Sequence, residues 1–380
     1  MSLTIGNSTS AGKLLFFVTE DYYFVSHRIE LALAARNAGY DVCVVTRVRE
    51  AGDVIRQAGI RLIPFEIARS GLNPVNEVLT LFRLIRIYRR ERSDIVHHVA
   101  MKPVLYGSLA ARYAGRPRVI NAIAGMGWLF TSTAGTGRWL QPAVQRALRW
   151  AASSGIALVQ NSDDEWLLGN IGVPLSRIHR IAGSGVDLQR FRASPAPAGM
   201  PMIVLPARML WDKGVGEFVE AAQLVKRRGV RARFVLAGEP DDANPASVPR
   251  ERLSDWVREG AVEHLGHVSD MPALFARCHI ACLPSYREGL PKSLIEAAAA
   301  GRPIVTTDVP GCREVVTHGD NGLLVPARDP VALADALERL IADADLREQM
   351  GARGRIRAEQ EFGLASVISQ TLALYREARV

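Results

Sequence analysis

The 380-residue sequence has no apolar run approaching the roughly 18 to 20 residues needed to cross a bilayer. Its opening, MSLTIGNSTSAGK, lacks the basic-then-apolar order of a secretory leader. A cytoplasmic protein is therefore expected, with room for a peripheral position on the inner face of a membrane. Cysteine is scarce: Cys43, Cys278, Cys282 and Cys312 share no paired spacing, which excludes a disulfide framework and suits a reducing compartment. In the run CHIAC a strand would send His279 to the face opposite Cys278 and Cys282, a poor arrangement for a metal, and none is expected. No glycine occurs in TEDYYFVSHR after the first β-branched run, so a G-x-G-x-x-G loop is missing there, and G-x-x-x-x-G-K-[ST] is absent throughout. Both absences argue against ordinary NAD-dependent and P-loop chemistry, and no cofactor is expected.

What is present is the composition of a globular protein, 48% hydrophobic and 23% charged, in a chain long enough for two cores. The net charge of +8 points to anionic partners such as nucleotide phosphates, lipid headgroups or nucleic acid. Short β-branched runs alternate with longer amphipathic ones, the pattern of parallel sheets with crossover helices. Leu14–Val18 reads as the first strand, followed by a helix from about Ser26 to Asn37. Strands at Asp41–Thr46, Arg61–Pro64, Asp94–Val99, Val119–Asn121 and Ile156–Gln160 continue the series. SPAPAG, residues 194 to 199, interrupts it. The cycle restarts with strands at Met202–Pro206, Arg233–Ala237, Val262–Leu265, His279–Pro284 and Pro303–Thr307. Helices are expected at Val215–Arg227, Pro291–Ala300, Val331–Asp343 and Ala365–Ala378.

The densest chemistry lies in LPSYREGLPKSLIEAAAAGRPI, residues 283 to 304. A strand ends near Ser285 and a helix opens near Pro291, whose missing amide proton is no loss in a first turn. Glu288 falls in the loop and Glu296 in the second helical turn, where a side chain leaning towards the N-terminus projects to the same end. The amides of Gly289, Leu290 and the helix start form an anion site. Carboxylates beside such a site suit sugar hydroxyls next to phosphate. On spacing alone, two solvated acids on a capped surface helix would be the better reading.

The surrounding text decides between these readings. S-x-x-E-G-L-P-x-x-L-I-E-A-x-A-x-G-x-P-I-V resembles the E-x7-E region of the retaining glycosyltransferase family 4. PARMLWDKG, FVLAGE, HLGHVSDMPALFARC and TTDVPGCREVVTHGDNGLLVP resemble further elements of that family, in order over most of residues 202 to 326. The resemblance implies the α/β GT-B fold, two Rossmann-like domains facing a central cleft. It implies a nucleotide-sugar donor, Glu288 at the donor sugar, Glu296 at the ribose, and Arg208 and Lys213 as diphosphate-binding cations. Gly289, Leu290 and Pro291 would border the donor, with Glu239, Gly266 and His267 nearby. Two fixed cations can stabilise a departing nucleoside diphosphate without a metal.

The N-terminal half departs from the family pattern, with YYFVSH where a Gly-Gly loop is common; Ser26, read as a helix start, is a candidate cap or ligand. HHVAMKPVLYGSLAAR and VINAIAGMGWLFTS resemble a bacterial branch that extends polyprenyl-diphosphate-linked glycans for capsule, O-antigen or glycoprotein assembly. That places Lys102, Gly125 and Gly127 at cleft-facing strand ends. His97 and His98 must point to opposite faces of their strand, and His98 is taken as the catalytic candidate. VLTLFRLIRIYRRER and WLQPAVQRALRWA are basic helices that suit either packing or contact with an anionic membrane.

The expected organisation is an acceptor domain over residues 1–190, a nucleotide-sugar domain over 191–363, and a helix over 364–380 crossing back. The expected reaction is transfer of a hexose or N-acetylhexosamine, UDP being the favoured carrier, to a polyprenyl-linked glycan. A nucleotide-sugar 2-epimerase and a non-catalytic nucleotide-sugar binder are the rivals. Nucleic acid is not expected as a partner, because basic and aromatic residues do not interleave in a known module.

Overall fold

The computed structural model describes residues 11–67, 74–123, 126, 137–242 and 244–377. The chain divides into two compact units, one running to Ser184 and resumed from Ile368, the other spanning Gly185–Val367.

The first unit is built on a seven-stranded sheet in the order β3-β2-β1-β4-β5-β6-β7. Its strands are β1 (Gly12–Glu20), β2 (Tyr40–Arg47), β3 (Arg61–Pro64), β4 (Ile95–Val99), β5 (Arg118–Ala122), β6 (Ile156–Val159) and β7 (Ile178–Arg180). All neighbouring pairs are parallel. Parallel strands are covered on both faces, so the centre of β1 reads as the unbroken apolar run Leu14–Val18, all of it buried. The second unit has a six-stranded parallel sheet in the order β10-β9-β8-β11-β12-β13. Its strands are β8 (Met202–Pro206), β9 (Arg233–Ala237), β10 (Glu263–His264), β11 (Ile280–Leu283), β12 (Ile304–Thr307) and β13 (Gly322–Val325).

Both sheets reverse direction beside their first strand, between β1 and β4 and between β8 and β11. Ligands of doubly wound sheets bind beyond the carboxyl ends of strands at such a reversal. The chain enters and leaves the second unit side by side, with Val186 N–H donating to Phe362 O and Leu364 N–H donating to Val186 O, both at 2.9 Å. Helix Leu364–Glu377 follows, and its Tyr375 hydroxyl lies 2.6 Å from Nδ1 of His97 in the first unit.

Two expectations need correction. Helical structure begins at Asp21, directly after β1, and breaks at Arg28 into Asp21–His27 and Ile29–Asn37. The buried Asp21 carboxylate accepts the amides of Arg49 and Ala51, fastening this first turn to the residues after β2. Ser26 therefore lies in a last turn, and its hydroxyl contacts Tyr23 O at 3.3 Å and His27 Nδ1 at 2.6 Å instead of capping a helix start. An 18-residue helix, Ala344–Glu361, was not anticipated, because its text is charged and holds two glycines. Those glycines allow close approach to the helix Lys292–Ala299: a Cβ on Gly351 would lie 2.2 Å from Gly301 O.

Candidate functional site

At the reversal of the second sheet, the segments after β8 and β11 are tied together. Tyr286 N–H and the Ser285 hydroxyl both donate to Asp212 O, at 2.9 and 3.0 Å. Gly214 closes the 3-10 turn Trp211–Lys213 with φ 71°, and a Cβ there would lie 2.1 Å from Pro284 O. This position demands glycine on both conformational and steric grounds. The turn directs Lys213 Nζ to 2.5 Å from Glu288 Oε1, joining residues from two different crossover segments.

Glu296 lies one turn into the helix Lys292–Ala299 and is 8% exposed. Burial raises its carboxyl above the ordinary range, while Lys292, at 3.7 Å, and Arg190 pull it back. Pro291, expected as the first helical residue, is instead the N-cap with extended backbone, so the helix begins one residue later; Leu290 and Pro291 are buried while Gly289 is partly open.

Arg208 leaves β8 on the same side of the sheet but does not join the Lys213–Glu288 pair. Its guanidinium binds Asp241 at 2.6 Å. Asp241 escaped the sequence reading, although it stands two residues beyond Glu239 in GEPDD. Glu239 pairs with Arg250 at 3.2 Å and has its Oε1 close to Gly266, which has φ 66°; His267 beside it is exposed. Tyr286 and Glu217, also unanticipated, form a 2.5 Å hydrogen bond behind the Glu288 loop, and Arg328 covers the Tyr286 ring.

The first unit treats its candidates differently. His98 is fully buried, with Nε2 3.0 Å from the Tyr88 hydroxyl and Nδ1 2.7 Å from Asn121 Oδ1. A proton on Nδ1 satisfies both bonds, and burial lowers the ring to about 4, so it stays neutral. These partners give it the surroundings of a core histidine. His97 faces the other side of the sheet, stacked 5.2 Å from Phe16 and bonded to Tyr375. Its Nε2 is buried with no hydrogen-bond partner among the described residues, and burial beside Arg28 keeps the ring neutral. Lys102, at the start of the helix Met101–Tyr113 after β4, pairs with Glu77 at 2.9 Å. Gly125 and Gly127 lie outside the described residues.

Among the described residues, no group of three His, Cys, Asp or Glu side chains is placed to hold a metal. His279 instead contacts Met202 N and Pro197 O through its two ring nitrogens. The second unit thus concentrates cations, buried carboxylate and helix-start amides where a doubly wound sheet receives its ligand. Such a set can grip a phosphorylated, hydroxyl-rich molecule.

This pair of Rossmann-like units is the GT-B architecture, and the chain is a glycosyltransferase. Residues 200–343 match the model described as glycosyl transferases group 1, and residues 13–160 match the model described as glycosyl transferase 4-like. The chain is 28% identical over 341 residues to the N,N'-diacetylbacillosaminyl-diphospho-undecaprenol alpha-1,3-N-acetylgalactosaminyltransferase of Campylobacter jejuni, covering 86% of this chain and 88% of the relative. It is 24% identical over 288 residues to the UDP-Gal:alpha-D-GlcNAc-diphosphoundecaprenol alpha-1,3-galactosyltransferase of Escherichia coli, covering 71% and 72%. The crystal structure of Anabaena HepE in complex with UDP superposes with a TM-score of 0.77 at 18% identity, covering 96% of this chain and 100% of that one.

Proposed function

We propose that the protein transfers a hexose or N-acetylhexosamine, with retention, from a UDP-sugar to a saccharide carried on a polyprenyl diphosphate during assembly of a cell-surface glycan. The observation that carries this reading is the Lys213–Glu288 pair at the sheet reversal of the second unit. The names of the Campylobacter and Escherichia relatives, and the UDP held by Anabaena HepE, support the acceptor and donor classes.

In this reading the second unit holds the donor and the first the acceptor. Glu296 accepts the ribose hydroxyls, and its resting partner Lys292 leaves it when they arrive. Lys213 and Arg208 turn from Glu288 and Asp241 to the diphosphate, taking up the charge that develops as the sugar–oxygen bond breaks. Glu288, released from Lys213, binds donor-sugar hydroxyls, and the Gly289 and Leu290 amides complete the cradle. The acceptor hydroxyl attacks from the face the diphosphate leaves and delivers its proton to the leaving diphosphate. These side chains supply the positive charge themselves, so the reading requires no metal or cofactor.

A position at the inner face of a membrane follows from the acceptor. The helix Gly137–Ser153 suits it, exposing Arg146, Arg149 and Trp150. No helix among the described residues is long and apolar enough to cross a membrane.

A thermal-shift series with UDP-, GDP- and ADP-sugars, with Glu296→Ala alongside, tests the donor assignment. Stabilisation by the uridine series alone, lost in the variant, is expected. Stabilisation by another base would replace UDP, and no response to any would remove the donor assignment. Analysis of the sugar product then separates transfer from epimerisation.

A further inference from the structure

The donor site read above in the second unit sets two cations against two carboxylates, Lys213 against Glu288 and Arg208 against Asp241. Glu288 shares its loop with Gly289 and Leu290, which border the donor. Asp241 comes from elsewhere, the segment that follows β9. That segment is fastened along the residues that carry Arg208 out of β8. Met209 N–H donates to Glu239 O at 3.0 Å, Val248 N–H to Met209 O at 2.9 Å and Trp211 N–H to Ala246 O at 2.8 Å. Val248 is fully buried in the core of the unit, which anchors the far end of the segment.

The carboxylate itself stands on a braced turn. Asp241 N–H donates to Ser247 Oγ at 3.0 Å, and Asp241 O accepts Asn244 N–H at 2.7 Å. Its acidic neighbours face another cation, Glu239 and Asp242 lying 3.2 and 3.6 Å from Arg250. The Asp241 side chain is 17% exposed and that of Arg208 46%, so the acid is fixed while the guanidinium has room to swing. Their contact uses one nitrogen of a fork that carries several N–H donors. Carboxylate and phosphate both suit that fork, so they compete for it.

We propose that Asp241 is a positioning residue that competes with the diphosphate for Arg208, and in doing so favours departure of the nucleoside diphosphate product. The inference rests on the donor reading above and adds product release to it. Transfer leaves the acceptor's proton on the phosphate oxygen that the sugar vacates. A terminal phosphate has its second pKa at about 6, so near neutral pH that proton passes to water. The product therefore carries about one negative charge more than the sugar nucleotide that entered. Lys213 and Arg208 alone would hold such a product more tightly than the donor, and the site would stay filled. A fixed carboxylate beside Arg208 repels the more charged ligand more strongly, and it recaptures the guanidinium as the diphosphate leaves.

Titration calorimetry with UDP and with UDP-N-acetylgalactosamine, on the full chain, Asp241→Asn and Asp241→Ala, tests the competition. Both variants should bind UDP about tenfold more tightly and the sugar nucleotide about fourfold, the scale of one charge removed from a partly exposed site. UDP should leave them about tenfold more slowly in stopped-flow displacement. A loosened loop would instead weaken both ligands together. Arg208→Gln, measured alongside, should weaken UDP about tenfold. Unchanged UDP affinity in both Asp241 variants overturns the proposal, as does weaker binding, which would make the acid a support for Arg208. Equal tightening of the two ligands leaves no preference for releasing the product and overturns it as well. Unchanged affinity in Arg208→Gln does the same, since there would be no phosphate contact to compete for. Failure of the donor reading shows separately, as a full chain that does not answer UDP. Should it answer GDP or ADP, the same comparison runs with that diphosphate and its sugar; an answer to none overturns both readings.

Discussion

Lys213 Nζ lies 2.5 Å from Glu288 Oε1, although 75 positions separate the two residues in the chain. The pair exists because β8 and β11 are neighbours at the sheet reversal and both loops leave from the same end. Each partner is mostly buried, so the carboxylate depends on the ammonium in the resting state and the ammonium is held ready for a different anion.

Replacing Lys213 by Ala is expected to lower kcat about 100-fold or more, the loss typical of one preorganised donor to a developing charge. It also strands Glu288, so stability should fall by about 1–3 kcal/mol. Adding Glu288→Gln to that variant should restore part of the stability while leaving kcat low. Urea melts beside steady-state kinetics separate the two effects.

Glu296 provides a pH test of the donor site. Burial raises its carboxyl, so ribose binding should begin to weaken at a higher pH than for an ordinary glutamate as the solution is acidified. UDP titrations across the acid range should show that dependence in the unsubstituted chain and lose it in Glu296→Gln. Glu296→Ala should bind UDP about tenfold more weakly at neutral pH.

His98 should matter to folding. A Cβ at Gly107 would lie 2.4 to 2.7 Å from three atoms of its ring, so Gly107→Ala should cost about 1–3 kcal/mol through overpacking. His98→Ala should lower the melting temperature by several degrees. The ring binds a proton in the unfolded chain near 6.5 but only near 4 in the folded one, so its stability contribution falls as pH drops between those values. Thermal melts over that range, compared with His98→Gln, report the difference.

Glu91 carries the opposite kind of group, a carboxylate held charged. Hydrogen bonding to Arg61, supported by Lys13, lowers it from 4.5 to about 2. Its contribution is complete above 4.5 and disappears as pH falls towards 2. Glu91→Gln should therefore lose roughly 2 kcal/mol at neutral pH and converge with the unsubstituted chain in acid. Chemical denaturation at three pH values checks this.

Much of this protein is legible as text. Short apolar runs such as Leu14–Val18 and Met202–Pro206 became central strands, because a strand buried on both faces must be apolar throughout. Glu288 and Glu296 stood out because the text around them resembles the E-x7-E region of a glycosyltransferase family; their spacing alone did not single them out. The helix Ala344–Glu361 did not stand out. Its value lies in the smallness of Gly351 beside Gly301, a property of a contact and not of a pattern.

Local order along the chain determined the two-sheet architecture, since hydrophobic period and glycine placement act over a few residues at a time. Side-chain partnership was decided only in three dimensions. His97 and His98 are adjacent in sequence, yet one meets Tyr375 from the end of the chain and the other meets Tyr88 and Asn121. Arg208 and Lys213 looked like one cation pair, but folding gave them separate carboxylates. The reason is geometric: alternation sends successive strand residues to opposite faces, and parallel crossovers bring together ends that the sequence keeps far apart.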